Sequence, residues 1–288
     1  MSDDRAPAWV VPVMRTGYSA RGFVYIVLGI LTILAAWTGS EAEGTRQSLE
    51  NLRSFPGGSL MLWGVAIGLL AYCVWRLIDA FMDLEDYGHA PKGVIARGGQ
   101  VVTGLLHGYL AFSAGRLAMG QRESGEGGGS SGHSAASWVL QQPYGKFVIG
   151  AIGLVTIGAG VYYCYKAYSE KYKEHLRCTA TSERLDPLIK TGLVAHGIVI
   201  ALIGAFLLYA GITADSSQVG GIGKAFQTVR SQPFGQILLG GMGLGMLCFA
   251  LYCVVEAIYR VLPSRAGPDV QTLASAAKRE AKQAVNAH

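Results

Sequence analysis

The stretch Arg15-Thr16-Gly17-Tyr18-Ser19-Ala20-Arg21-Gly22 opens the first apolar run of the chain. Its frame, a cation with glycines two and seven residues on, is written three times. The second copy is Arg97-x-Gly99-x4-Gly104 and the third Lys190-x-Gly192-x4-Gly197. Each frame leads into an apolar run, a polar loop, and a second apolar element opening with Pro56-x-Gly58, Pro143-x-Gly145 or Pro233-x-Gly235. Twenty-three residues after each proline stands an ionisable residue followed by alanine: Asp79-Ala80, Lys166-Ala167 and Glu256-Ala257. Repetition at one spacing sets the architecture ahead of any local reading. The repeats read as 12–83, 94–170 and 187–262, with a polar tail over 263–288.

Composition says what the repeats are made of. Of 288 residues 51% are hydrophobic and only 15% charged, against about 25% charged in soluble domains. Six runs, 17–38, 60–81, 99–119, 147–165, 192–213 and 236–258, carry few charges. Each is about 20 residues long, the length that crosses a hydrocarbon core of about 30 Å. Much of the glycine lies inside these runs, where small residues let helix backbones approach. The fold class is therefore all-α: a polytopic membrane protein of six transmembrane helices in three two-helix repeats. Consecutive repeats enter with the same orientation, so a pseudo-three-fold arrangement about the membrane normal is expected. The prolines fit the first turn of each second helix, where their missing N–H costs nothing.

Of the 24 Lys and Arg, 17 fall in the N-terminus, the inter-repeat loops and the C-terminus, which puts both termini in the cytoplasm. The net charge of +5 thus reflects topology and needs no nucleic-acid partner. The first run has no small-x-small cleavage pattern and is read as a span, not a removable signal. The five cysteines form no C-x2-C pair and are read as apolar packing residues, without disulfides or zinc. Glycine-rich residues 125–132 form an expected flexible loop. Residues 270–287 are read as a solvated helix, with contact to anionic lipid at the cytoplasmic face as the alternative.

Ionisable groups at membrane depth are the candidate site, because such positions are costly to occupy. The repeat register aligns Arg21, Thr103 and His196, and separately Asp79, Lys166 and Glu256. Both sets lie toward the cytoplasmic ends, so Arg21 is expected to pair with Asp79 and His196 with Glu256. Repeat two, with Thr103 and Lys166, cannot make that pair. His107 completes the cluster. It does not share an aligned position with His196, so haem between them is not expected, and no cofactor or metal is assigned. No G-x-S-x-G or H-E-x2-H motif is present, and nothing favours catalysis.

The opening Arg15-x-Gly17-Tyr18-x-Ala20-Arg21-Gly22-x2-Tyr25 resembles that of bacterial membrane proteins carrying three tandem copies of domain of unknown function 1206. The resemblance covers roughly residues 12–262 and is closest in the first copy. It implies a bacterial cytoplasmic-membrane protein with helices in three pairs, and implies no chemistry. The P-x-[DE]-x2-[KR] hallmark of mitochondrial carriers is missing from all three copies. The expected function is a non-enzymatic structural, partner-binding or lipid-binding module of the bilayer. The alternative is a small-solute or ion transporter or channel with a path between the hairpins.

Overall fold

In the computed structural model, which describes residues 9–40, 43–121, 136–177 and 179–261, three pairs of long helices carry the three repeats. Repeat one holds α1 (Val10–Thr38) and α2 (Gly58–Met82). Repeat two holds α3 (Pro91–Ala118) and α4 (Gly145–Tyr168), and repeat three α5 (Asp186–Thr213) and α6 (Gly235–Tyr259). At 1.5 Å per residue each is about 36–44 Å long, enough to exceed a hydrocarbon core of about 30 Å. Five of them, all but α3, are also apolar enough to cross a membrane. The expected third span exists as a helix of 28 residues, but Lys92, Arg97, Gln100, His107 and Arg116 dilute its hydropathy. Residues 125–132, Cys178 and the tail beyond 262 lie outside the described residues.

The Pro-x-Gly elements do something different from what was expected. The second helices begin at the glycine, two residues after the proline. Before each lies a short helix: Thr45–Arg53, residues 136–140, and Ile222–Arg230. The residue between proline and glycine is left-handed in all three corners, with φ of 77° at Gly57, 68° at Tyr144 and 61° at Phe234. The following glycine is obligatory on steric grounds. A Cβ on Gly58 would lie 2.2 Å from the Leu52 carbonyl oxygen, and on Gly145 or Gly235 it would lie 1.8 Å from that of Val139 or Arg230. Pro-x-Gly is thus a corner between a short helix and a long one.

Helix packing does not follow the hairpins. The most extensive interfaces join α1 to α6, α2 to α3 and α4 to α5, each between different repeats. The second frame glycine makes all three. Gly22 faces Ala250 and Cys253, Gly104 faces Cys73 and Arg76, and Gly197 faces Gly160 and Cys164. Within hairpins, α1 packs on α2 and α5 on α6, whereas α3 and α4 share no comparable interface. The first frame glycine records this. Gly17 meets the backbone of Tyr72 and Gly192 that of Phe249, but Gly99 has open space where a side chain would be. Repeat two is splayed, with α3 laid along repeat one and α4 along repeat three.

Sequence accounts for the splay. Closed hairpins seat a small residue against a glycine: Ala20 against Gly68, and Ala195 against Gly245. The equivalent pair in repeat two is Val102 and Val155, both exposed. Two β-branched side chains cannot fill the space left by an alanine and a glycine, so close approach is lost. The exposures follow: Val24 and Val199 are 3% and 1% exposed, while the equivalent Leu106 is 60% exposed. Likewise Trp75 and Tyr252 are 0% and 3% exposed, against 49% for Tyr162.

Candidate functional site

At mid-depth the bundle is filled. Arg21 of α1 is buried to within 4% and donates from Nη1 to the Tyr72 hydroxyl at 3.0 Å. Its guanidinium lies over the rings of Tyr25, Tyr72 and Phe249 at 5.7, 5.2 and 4.9 Å. Ring faces supply the electron density that a buried cation lacks in hydrocarbon. His107 of α3 packs on Tyr72 with ring centroids 4.6 Å apart, and its Nδ1 lies 2.8 Å from the Thr103 carbonyl oxygen. A carbonyl only accepts, so Nδ1 carries the proton. His196 of α5 stacks on Phe249 at 3.7 Å and meets Tyr163 of α4 edge-on at 4.9 Å. Six of these seven side chains are buried and Tyr163 is half-buried, and together they come from all six helices.

A second layer, at the end of the bundle that carries Val10 and Arg260, is charged. Arg76 lies 3.2 Å from Asp79 and 3.7 Å from Glu85, and Gln100 of α3 donates to Asp79 at 2.7 Å. Arg260, just past α6, bridges Glu85 and Glu256. The Lys166 ammonium donates to the Tyr252 hydroxyl at 3.2 Å and is in electrostatic reach of Glu256. Three cations thus face three carboxylates. Burial alone would raise the Glu85 pKa, but Arg260 and then Arg76 outweigh it and hold the carboxyl well below the usual range. Burial pushes the neighbouring His175 down from 6.5, and Arg260 pushes it further the same way. The 175–177 segment pairs with 259–261, where Arg177 N–H reaches the Tyr259 carbonyl at 2.9 Å and Val261 N–H that of His175 at 2.8 Å.

The candidate residues are therefore divided between two layers. Asp79, Lys166 and Glu256 meet in the charged layer, and Arg21, His107 and His196 in the aromatic one. The expected pairs do not form. Asp79 bonds to Arg76 and Gln100, and Glu256 to Arg260, because these partners are one helical turn away or come from the neighbouring repeat. Arg21 lies above them among rings. Thr103 joins neither layer, since its hydroxyl donates back to the Gly99 carbonyl at 2.8 Å. Arg76, Glu85, Gln100 and Arg260 are the members that sequence reasoning missed. The spacings Arg76–Asp79 and Glu256–Arg260, at i,i+3 and i,i+4, were a usable signal for two of them.

The frame cations act at the helix ends. Arg97 donates to the Ala80 and Phe81 carbonyls, which α2 leaves unpaired at its C-terminus. Lys190 bonds to Glu170 and lies 3.1 Å from Asp186. Among the described residues, no group of three His, Cys, Asp or Glu side chains stands close enough to hold a metal ion.

The family model described as Domain of Unknown Function (DUF1206) matches three times in tandem, over residues 16–83, 98–170 and 191–260. "Uncharacterized protein YxxB" of Bacillus subtilis (strain 168) is 28% identical over 256 residues, covering 88% of this chain and 92% of that protein. No solved structure matches the chain.

Proposed function

The chain belongs to the DUF1206 family, and from that premise we propose a module of a bacterial cytoplasmic membrane that binds lipid or a membrane partner and does no chemistry. It crosses the bilayer six times with both termini in the cytoplasm. The sixth crossing is α3, whose Gln100 and His107 turn inward while Val102, Leu105, Leu106 and Phe112 turn outward. The hairpins stand in approximate three-fold order, supported by the equivalent contacts of Gly22, Gly104 and Gly197. Repeat two departs from that order by staying open.

One observation carries the reading. The interior is occupied at both layers, while the open side faces the surrounding membrane between α3 and α4. A transporter needs a path along the centre. Tyr72, Phe249 and Arg21 stand in that path at mid-depth, and the Arg76–Glu85–Arg260 network stands at its inner end. A photo-crosslinking amino acid at position 106, in protein reconstituted in vesicles, tests the reading. Adducts to lipid or to another polypeptide are expected. Crosslinks from 106 to α4 mean that the hairpin closes, and they sink it. Ion or solute flux above that of empty vesicles, abolished in Arg21→Ala, favours transport instead.

A further inference from the structure

A surface groove of about 410 Å³ lies along the interface of α4 and α5. Glycines make its floor. A Cβ on Gly211 would lie 2.6 Å from the Gly150 nitrogen and 2.8 Å from the Lys146 carbonyl oxygen, so the two helices touch by backbone there. Phe147 and Leu154 of α4 and Leu208 and Ile212 of α5 form the walls. Both helices are long and apolar enough to cross a membrane, and apolar walls on the outside of such helices meet acyl chains. From Lys146 to Leu154 is eight residues, about 12 Å along the helix. One leaflet offers about 15 Å of hydrocarbon.

The groove ends at a cation. Lys146 is exposed in the first turn of α4, and its ammonium lies over the Phe147 ring at 5.1 Å. Among the described residues no carboxylate pairs with it. The start of α4 has no side-chain cap and no acidic residue in its first turn, so its free N–H groups add to the positive end. Tyr144 and Trp138, 77% and 65% exposed, precede it in the chain, and such rings settle at headgroup level. The combination is peculiar to this interface. Positions equivalent to Lys146 hold Ser59 and Gln236, and those equivalent to Gly150 hold Trp63 and Gly240. The positions equivalent to Gly211 hold Ala36 and Ala118. Of the three equivalent interfaces, α4–α5 alone sets glycine against glycine and places a cation at that end.

We propose that the α4–α5 groove binds an anionic phospholipid, with an acyl chain on the glycine floor and the phosphate at Lys146 and the uncapped start of α4. This rests on the lipid-binding reading above and names the class of lipid and its place. Lys146 decides between occupants. A phosphate satisfies the ammonium, whereas an apolar partner helix would bury it unpaired. One lysine near an anionic lipid is worth roughly five-fold in binding.

Full-length protein in phosphatidylcholine vesicles, doped with a trace phospholipid carrying an acyl-chain diazirine, tests the site. The dopant has either a phosphatidylglycerol or a phosphatidylcholine headgroup, and adducts are mapped by peptide mass spectrometry. The phosphatidylglycerol probe is expected to label residues 147–154 and 208–212 about five-fold more than the phosphatidylcholine probe. Lys146→Gln, at an exposed position, should abolish that preference without shifting the melting temperature. Gly150→Trp copies the residue of repeat one into the groove, and a Cβ there meets only Leu208, at 3.9 Å. It should stop labelling of these residues by both probes and leave that of exposed Ile67 on α2 unchanged. Equal labelling of the parent by both probes overturns the phosphate contact. Competition by inorganic phosphate overturns a lipid in favour of a free anion. A photo-crosslinking amino acid at position 212 that captures a second polypeptide and no lipid overturns lipid as the occupant. If residues 147–154 and 208–212 stay unlabelled while position 106 takes lipid, this site falls and the lipid-binding reading stands. If neither takes lipid, both fall.

Discussion

Replacing Arg260 with alanine should be among the most damaging single changes in the molecule. Its guanidinium is 3% exposed and lies between two carboxylates, Glu85 at 3% and Glu256 at 0%. It also sits over the Tyr18 ring at 5.4 Å. Without it Glu85 keeps Arg76 at 3.7 Å as its one ion-pair partner beside the Gln100 amide, which donates at 3.4 Å, and Glu256 keeps Lys166 as its nearest opposite charge. Removing one partner of a buried ion pair costs about 3–5 kcal/mol, since the other charge stays desolvated. At roughly 2 °C or more per kcal/mol, thermal unfolding in detergent should fall by at least about 6 °C. Adding Glu256→Gln to Arg260→Ala should return part of the loss, because a neutral amide replaces the stranded charge. The pH dependence gives a second reading. The folded Glu85 pKa is below its ordinary 4.5, so its stabilisation is fully present above about pH 4.5. It is lost as pH falls from there through the depressed folded value. Arg260→Ala should flatten that acid limb. A variant within about 1 kcal/mol of the parent at neutral pH, or with the acid limb intact, refutes the argument.

Other consequences are simpler to measure. Gly160→Ala brings a Cβ to 2.6 Å from the Ala201 nitrogen and the Gly197 oxygen, both backbone, and should cost about 3 kcal/mol or prevent folding. Gly99→Ala meets nothing within 4 Å and should be neutral or gain up to about 1 kcal/mol in thermal melts. Tyr72→Phe removes the hydroxyl that accepts from Arg21 and should cost about 1.5–3 kcal/mol by the same assay. His175 is held below 6.5 mainly by burial. The unfolded chain therefore takes its proton first as pH drops below about 6.5, and His175→Gln should remove the stability lost over that range.

The repeat frame, the helix pairs and the apolar character were legible from spacing alone, because glycine and proline hold their places for steric reasons. The Pro-x-Gly corner misled, since proline suits a first helical turn as well as a tight turn before one. Only the left-handed residue between them decides, and φ is not written in Tyr144 or Phe234. The partnerships of Asp79 and Glu256 were misread because register aligned them with Arg21 and His196. Alignment says which positions are equivalent, not which are adjacent. The difference of repeat two was visible at Thr103 and Lys166, but its physical cause sits in Val102 and Val155. A valine in an apolar run carries no mark until the alanine and glycine it replaces are seen in contact elsewhere.

The pairing of α1 with α6 has a consequence for how the protein is made. The principal neighbour of α1 is α6, which is made more than 190 residues later. Until α6 arrives, Gly22 and Gly29 lack the residues that lie against them, Ala250, Cys253 and Val254 at the first and Gly243 and Leu247 at the second. Biosynthesis therefore passes through a stage with five long helices made and the assembly unclosed, and the order of synthesis differs from the order of assembly. A nascent chain halted before residue 235 should be a substrate for membrane quality control, although two of its three hairpins are complete.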